Sequence, residues 1–190
     1  LNLAKNIQKI AKDVLAHESN AIQNLIQFIN DDFELCIREL HNCKGRIVVT
    51  GIGKSAIIAN KIVATLNSTG SPALFLHAAD AIHGDLGMVQ KDDIVICISK
   101  SGNTPEIKVL VPMLKRRGSR LVALVSNTSS YLAQHADFTL NASIESEACP
   151  NNLAPTTSTT AHLALGDAVA ICLLELKQFS DRDFAELHPG

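Results

Sequence analysis

Residues 94–107, IVICISKSGNTPEI, constrain this chain more than any other stretch. The continuous apolar run from Ile94 to Ile98 reads as a central parallel strand covered on both faces. A turn follows at once, and a helix opens behind it. Ser99, Ser101 and Thr104 place hydroxyls and unpaired backbone N–H groups where the strand ends and the helix begins. Gly102 lets the backbone approach a ligand closely, and Pro105 suits a first helical turn. A helix start, with free donors and the positive end of its dipole, binds anions. The stretch therefore reads as a phosphate cradle.

Strands and helices alternate around it. The expected strands are 46–50, 73–76, 94–98, 121–125 and 138–140, and the expected helices are 56–66, 78–89 (ending in an irregular loop), 104–117, 130–135, 156–177 and 182–187. Ahead of the first strand, Leu3, Ile7, Ile10 and Val14 mark one amphipathic helix. Ile22, Leu25, Ile26, Ile29, Phe33, Cys36, Ile37 and Leu40 mark a second, long one reaching about His41. These stripes serve either to cover one sheet edge or to pair with another subunit.

The fold class is α/β: a three-layer αβα sandwich with a five-stranded, mainly parallel, flavodoxin-like sheet of order 2-1-3-4-5. In that order the first and third strands lie side by side while their connections leave in opposite directions, and ligands bind at such a switch point. The two polar loops, 51–55 and 99–104, follow those two strands. Neither a linker nor a repeat interrupts the chain, so residues 1–190 are expected to form one domain, with N-terminal helices over 1–41 and the core over 42–190.

Composition narrows the function classes. With 46% hydrophobic residues and a net charge of −2 the chain reads as soluble with a sizeable core, and nothing in that balance calls for nucleic acid. Aromatics are 4% with no Trp, which leaves no base-stacking platform. Cys36, Cys43, Cys97, Cys149 and Cys172 are odd in number and contain no CxxC pair, so they read as reduced core thiols of a cytoplasmic protein. No signal peptide is visible, and the apolar stretch 161–176, interrupted by Gly166 and Asp167, is too short to span a bilayer; no membrane partner is expected.

The remaining motifs carry chemistry to different degrees. GIGKS at 51–55 resembles a Walker loop, yet Val48 stands where that motif needs its first glycine, so an ATPase reading fails. Gly51, Gly53 and Ala56 fit GxGxxA, but the second strand ends in Leu76-His77 without the acidic residue that would hold a ribose. Lys54 supplies a cation that can neutralise a phosphate or a developing oxyanion. Glu106 is either a helix-start carboxylate favoured by the dipole or an acid/base group beside the ligand. Glu147, taken alone, is a solvated loop carboxylate. His83 and His188 read as surface or capping histidines, proton shuttles or metal ligands. The histidines show no HxxxH spacing, and no metal site is expected. Cys149 reads as a plain buried thiol in preference to a nucleophile, since the sequence places no base for it, and 156–160 caps the long helix while offering further hydroxyls to an anion.

Taken together, GIGKS, HAADAIHGDLGM, SKSGNTPEI, EACPNNLAPTTSTTAHLALGDA and the closing ELHPG resemble the sugar isomerase (SIS) domain of the arabinose 5-phosphate isomerase family. The resemblance covers the chain from about residue 46. It implies an aldose-ketose isomerase that interconverts D-ribulose 5-phosphate and D-arabinose 5-phosphate through an enediol, feeding synthesis of the eight-carbon acid sugar (Kdo) of lipopolysaccharide. It implies no organic cofactor and a cytoplasmic homotetramer. Lys54, Glu106, Glu147 and His188 would form the catalytic set, and Gly53, Ser55, Ser99, Ser101, Gly102 and Thr104 would hold the sugar phosphate, with His83 lining the site. His188 would complete a neighbouring subunit's site. The CBS modules that follow HPG in many relatives are absent from residues 1–190. Lys100, between the serines, and Asn151-Asn152, after CP, depart from the family pattern and bear on substrate preference. Which glutamate is the base stays open, as do two alternatives: a phosphosugar sensor without chemistry and an isomerase of another sugar phosphate.

Overall fold

The computed structural model describes residues 3–188, with side chains from residue 6 onward; the side chain of the apolar position Leu3 and the Pro189-Gly190 of the HPG motif lie outside that description. Strands β1 (Ile47–Gly51), β2 (Ala73–His77), β3 (Ile94–Ser99), β4 (Arg120–Val125) and β5 (Phe138–Asn141) form a sheet of order β2-β1-β3-β4-β5. Every neighbouring pair is parallel. Helices α1 (Leu3–Asn24), α2 (Asp31–His41), α3 (Lys54–Ser68), α4 (Ala78–Ala81), α5 (Pro105–Arg116), α6 (Tyr131–His135), α7 (Thr157–Leu176) and α8 (Asp181–Leu187) surround it.

The period-two geometry of a strand sorts its side chains onto the two faces. Ile47, Val49, Ile94, Ile96, Ile98, Val122, Leu124 and Leu140 face α2, α3 and α7. Val48, Val95, Cys97, Leu121, Ala123 and Val125 face α4, α5 and α6, where Ile107, Leu110, Val111 and Leu114 of α5 complete the second core. Both faces of β1, β3 and β4 are therefore dry. That is why these strands read as unbroken apolar runs and why the sandwich has three layers.

The amino ends of β1 and β3 are clamped. Asp93 is buried, accepts from the N–H groups of Arg46 at 2.7 Å and Gln90 at 2.9 Å, and pairs with the Arg46 guanidinium at 2.9 Å. Burial alone would raise its pKa, but these bonds hold it below the usual range. With Ile47 beside Ile94 and Gly51 beside Ile98, the two strands end level at the other edge, and their loops leave side by side.

Three expectations need correction. The apolar stripe from Ile22 to Leu40 is not one helix: α1 runs unbroken from Leu3 to Asn24, a 3-10 turn covers Leu25–Phe28, and α2 starts at Asp31. Asn30 sets that start by accepting from the Phe33 N–H at 3.2 Å, and Ile26 and Ile29 are left exposed. Residues 78–89 form only one turn of helix, Ala78–Ala81, and a 3-10 turn, Asp85–Met88. Helix α7, with 20 residues and a mean hydropathy of 1.4 in its most apolar window, is long and apolar enough to cross a membrane. In this fold its Ala161, Leu165, Val169, Ala170 and Leu173 are instead buried in the core.

Candidate active site

The first wall of the site is the turn after β3. Ser99, the last residue of the strand, is buried and accepts from the Gly102 N–H at 3.0 Å, closing the turn. Gly102 has φ 63°, and a Cβ at that position would overlap the Ser130 side chain, so two independent constraints require glycine. Ser101 is exposed and accepts from the Asn103 N–H at 3.3 Å. Thr104 is the N-cap of α5, yet its side chain makes no capping bond and its hydroxyl is buried without a partner. One hydroxyl of the cradle therefore shapes the loop, and another is left for a ligand. Pro105 opens the helix, and Glu106 follows in its first turn, half-buried and without an ion pair or side-chain hydrogen bond among the described residues.

The second wall is the turn after β1. Gly53, at φ 58°, is the N-cap of α3, and Lys54 and Ser55 begin the helix with Lys54 exposed. The N-termini of α3 and α5 thus meet at the switch point between β1 and β3, which concentrates unpaired N–H donors and two positive dipole ends. Lys54 adds a full charge. Charge and donors of this kind suit an anion. His83 lies exposed in the turn beyond the carboxyl end of β2, on the same edge.

Glu147 overturns its reading as a solvated carboxylate. Its side chain is fully buried, and Oε2 accepts from the N–H groups of Thr156 at 2.9 Å and Ser158 at 3.0 Å. Oε1 accepts from the Ser158 hydroxyl at 2.5 Å and from Lys100 Nζ at 2.7 Å. Burial would raise the pKa, but the Lys100 ammonium, the Ser158 hydroxyl and the two N–H groups outweigh it and bring it down to about 2. Glu147 is in this way the anion of the α7 N-terminus. Beyond it lies His162, buried, with Nε2 at 3.4 Å from the Ser126 hydroxyl and Nδ1 unpartnered. Burial pushes its pKa down to about 4, against the pull of Glu147.

His188 lies at the opposite end of the sheet from the cradle. Lys177 after α7 donates to the Gly70 carbonyl at 3.0 Å and the Ser71 hydroxyl at 2.8 Å, and α8 lines a groove with Asn67, Gly70 and Pro72, just before the amino end of β2. His188 stacks on Phe184 at 3.9 Å between ring centroids. A five-residue strand separates that end from the cradle by about 15 Å.

Sequence reasoning missed Lys100, Ser158 and His162 as members of this cluster, and it misjudged Cys149. That thiol is half-buried, not buried, and backbone N–H groups of residues 154, 153, 151 and 152 lower its pKa. Cys36 and Cys97 are inert, pushed up to about 12 by burial. Among the described residues no group of three or more His, Cys, Asp or Glu side chains is placed to hold a metal ion.

A five-stranded parallel sheet of order β2-β1-β3-β4-β5 flanked by helices is the fold of the SIS domains. The SIS domain family profile matches residues 39–172, and the chain belongs to that family. It is 48% identical over 192 residues to the arabinose 5-phosphate isomerase KdsD of Pseudomonas aeruginosa, covering 100% of this chain and 59% of that protein. To the arabinose 5-phosphate isomerase KpsF of Escherichia coli O6:H1 it is 47% identical over 180 residues, 94% of this chain and 55% of that one. The chain thus spans a little over half the length of the curated relatives it matches. Among solved structures, an E. coli CFT073 protein in complex with arabinose 5-phosphate superposes with a TM-score of 0.94 at 42% identity, covering 97% of this chain and 98% of the other.

Proposed function

We propose that residues 1–190 form a single SIS domain that interconverts D-arabinose 5-phosphate and D-ribulose 5-phosphate. The observation that carries this reading is the near-complete superposition on a structure holding arabinose 5-phosphate, with a cradle at the switch point built to take its phosphate. The KdsD and KpsF relatives support the same reaction, and their names support a role in lipopolysaccharide or capsule sugar supply.

The reaction moves a proton between C2 of the aldose and C1 of the ketose. The N–H groups at the starts of α3 and α5, with Ser55, Ser101 and Thr104, hold the phosphate, and Gly53 and Gly102 let the backbone reach it. Lys54 stabilises the enediolate oxygen. Of the two glutamates, Glu147 is committed to four donors and a cation, whereas Glu106 has no competing partner among the described residues; Glu106 is the base. Glu106→Gln should lose exchange of the substrate's carbon-bound proton with solvent by roughly 10²–10⁴-fold. Exchange at the normal rate in Glu106→Gln would sink the assignment, and a wild-type protein that leaves ribulose 5-phosphate unchanged by NMR would sink the reaction.

His188 cannot serve its own cradle from the amino end of the sheet, so it opens the sugar ring in a neighbouring subunit of a cytoplasmic tetramer, where His83 also lines the site. Mixed Lys54→Ala and His188→Ala subunits should then recover activity that neither has alone. A mixture as inactive as its parts would refute the sharing.

A further inference from the structure

We infer that Lys100 is a positioning residue: its ammonium, held on Glu147, clasps the serine loop after β3 to the N-terminus of α7 and fixes the spacing of the anion-binding groups. The inference rests on the isomerase reading only for its catalytic consequence.

The geometry has three parts. Lys100 sits inside the cradle loop between Ser99 and Ser101, so any restraint on it is a restraint on the cradle. Its carbonyl accepts from the Ser126 N–H at 3.2 Å, which fixes the main chain to the loop after β4. Its side chain, 41% exposed, spans to a carboxylate that is wholly buried, at 2.7 Å. Glu147 in turn holds the first N–H groups of α7 through Thr156 and Ser158. The chain of contacts runs from the cradle loop through Lys100 and Glu147 to the helix start, with no solvent-separated step.

The pair is also needed on charge grounds. A buried carboxylate without a cation shifts toward its neutral form, and a neutral acid gives up acceptor strength toward the α7 N–H groups. The other titratable groups facing this region are His162 from α7, which is buried and held neutral, Asp13 and His17 from α1 across the adjoining cleft, Glu18 bonded to the Thr160 hydroxyl at 3.0 Å, and Glu145 and Cys149 on the same loop, the Cys149 thiol held below its ordinary pKa by backbone N–H groups. His17 is spent on the Ser146 carbonyl at 2.9 Å. Lys100 is the lysine or arginine that pairs with Glu147 among the described residues.

The test compares wild type, Lys100→Met and Lys100→Arg, with Lys100→Gln as a second neutral variant should the Met protein not fold. Carbon-13 NMR of glutamate carboxyls, with Glu147 assigned through Glu147→Gln, follows its titration without turnover. In the neutral variants the Glu147 midpoint should rise toward or above the ordinary value of 4.5, and Lys100→Arg should keep it low. Affinity for inorganic phosphate should fall in the neutral variants, and kcat/KM for arabinose 5-phosphate should fall about a hundredfold, as misplaced catalytic geometry does, with Arg restoring most of it. An unmoved Glu147 titration in Lys100→Met or Lys100→Gln overturns the clasp, as does loss of phosphate affinity alone, which would make Lys100 a direct phosphate ligand. Absence of isomerase activity in wild type would refute the reaction and leave the titration and phosphate measurements to judge the clasp by themselves.

Discussion

Gly102 shows how tightly single residues are specified at the cradle. Its φ of 63° lies in the left-handed region, its Cα faces the Ser130 side chain, and its carbonyl accepts from the Leu132 N–H at 3.0 Å. Gly102→Ala should therefore cost roughly 2–5 kcal/mol, the sum of a left-handed penalty and overpacking. Urea unfolding at neutral pH measures this, and a variant as stable as wild type would show that the loop can move aside. The same glycine was legible in the sequence, because a serine-glycine turn between an apolar run and a proline-led helix has few other uses. Glu147 was not. Its burial depends on Lys100, which lies far from it in sequence, and on Ser158 across the loop before α7, and only the packing of that loop onto the turn after β3 brings the three together.

Among the elements, legibility followed the type of signal. The strands could be read within a residue or so because burial on both faces leaves an apolar run with polar punctuation at each end, and the alternation with helices makes the sheet parallel without by itself fixing its order. The N-terminal helices were legible as amphipathic but not in their division, since the apolar spacing runs straight across the break at Asn30. Periodicity reports that a face is apolar, not what covers it: Ile7, Ile10, Leu15, Ile22 and Ile26 remain exposed. The break itself is a capping decision. Asn30 adopts an extended conformation and satisfies the Phe33 N–H, and three carboxylates, Asp31, Asp32 and Glu34, fill the first turn of α2. Asn30→Ala should cost about 1 kcal/mol in urea unfolding, whereas Asn30→Asp should cost much less. Equal losses in both variants would mean that the cap does not set the boundary.

At the scale of the whole molecule, the two ends of the sheet are built differently. The amino end is locked by Asp93 and Arg46, and the carboxyl end gathers cradle, Glu147 and His162. Two of the buried groups at the carboxyl end make stability depend on acid in the same direction. His162 has a folded pKa of about 4 against an ordinary 6.5, so the unfolded chain binds more protons between those values, and stability falls as pH drops through that window. Glu147 has a folded pKa of about 2 against an ordinary 4.5; its contribution is complete above 4.5 and is lost as pH drops toward 2. Acid unfolding should thus proceed in two consecutive stages, each on the order of a few kcal/mol. Thermal melts across the acid range resolve them. His162→Gln should flatten the upper stage and leave the lower one, while Lys100→Met, by raising the folded pKa of Glu147 toward its unfolded value, should flatten the lower stage and, because the Lys100 charge also lowers the His162 pKa, shrink the upper one slightly. A His162→Gln protein that loses stability between 6.5 and 4 as steeply as wild type would place the upper stage elsewhere in the molecule.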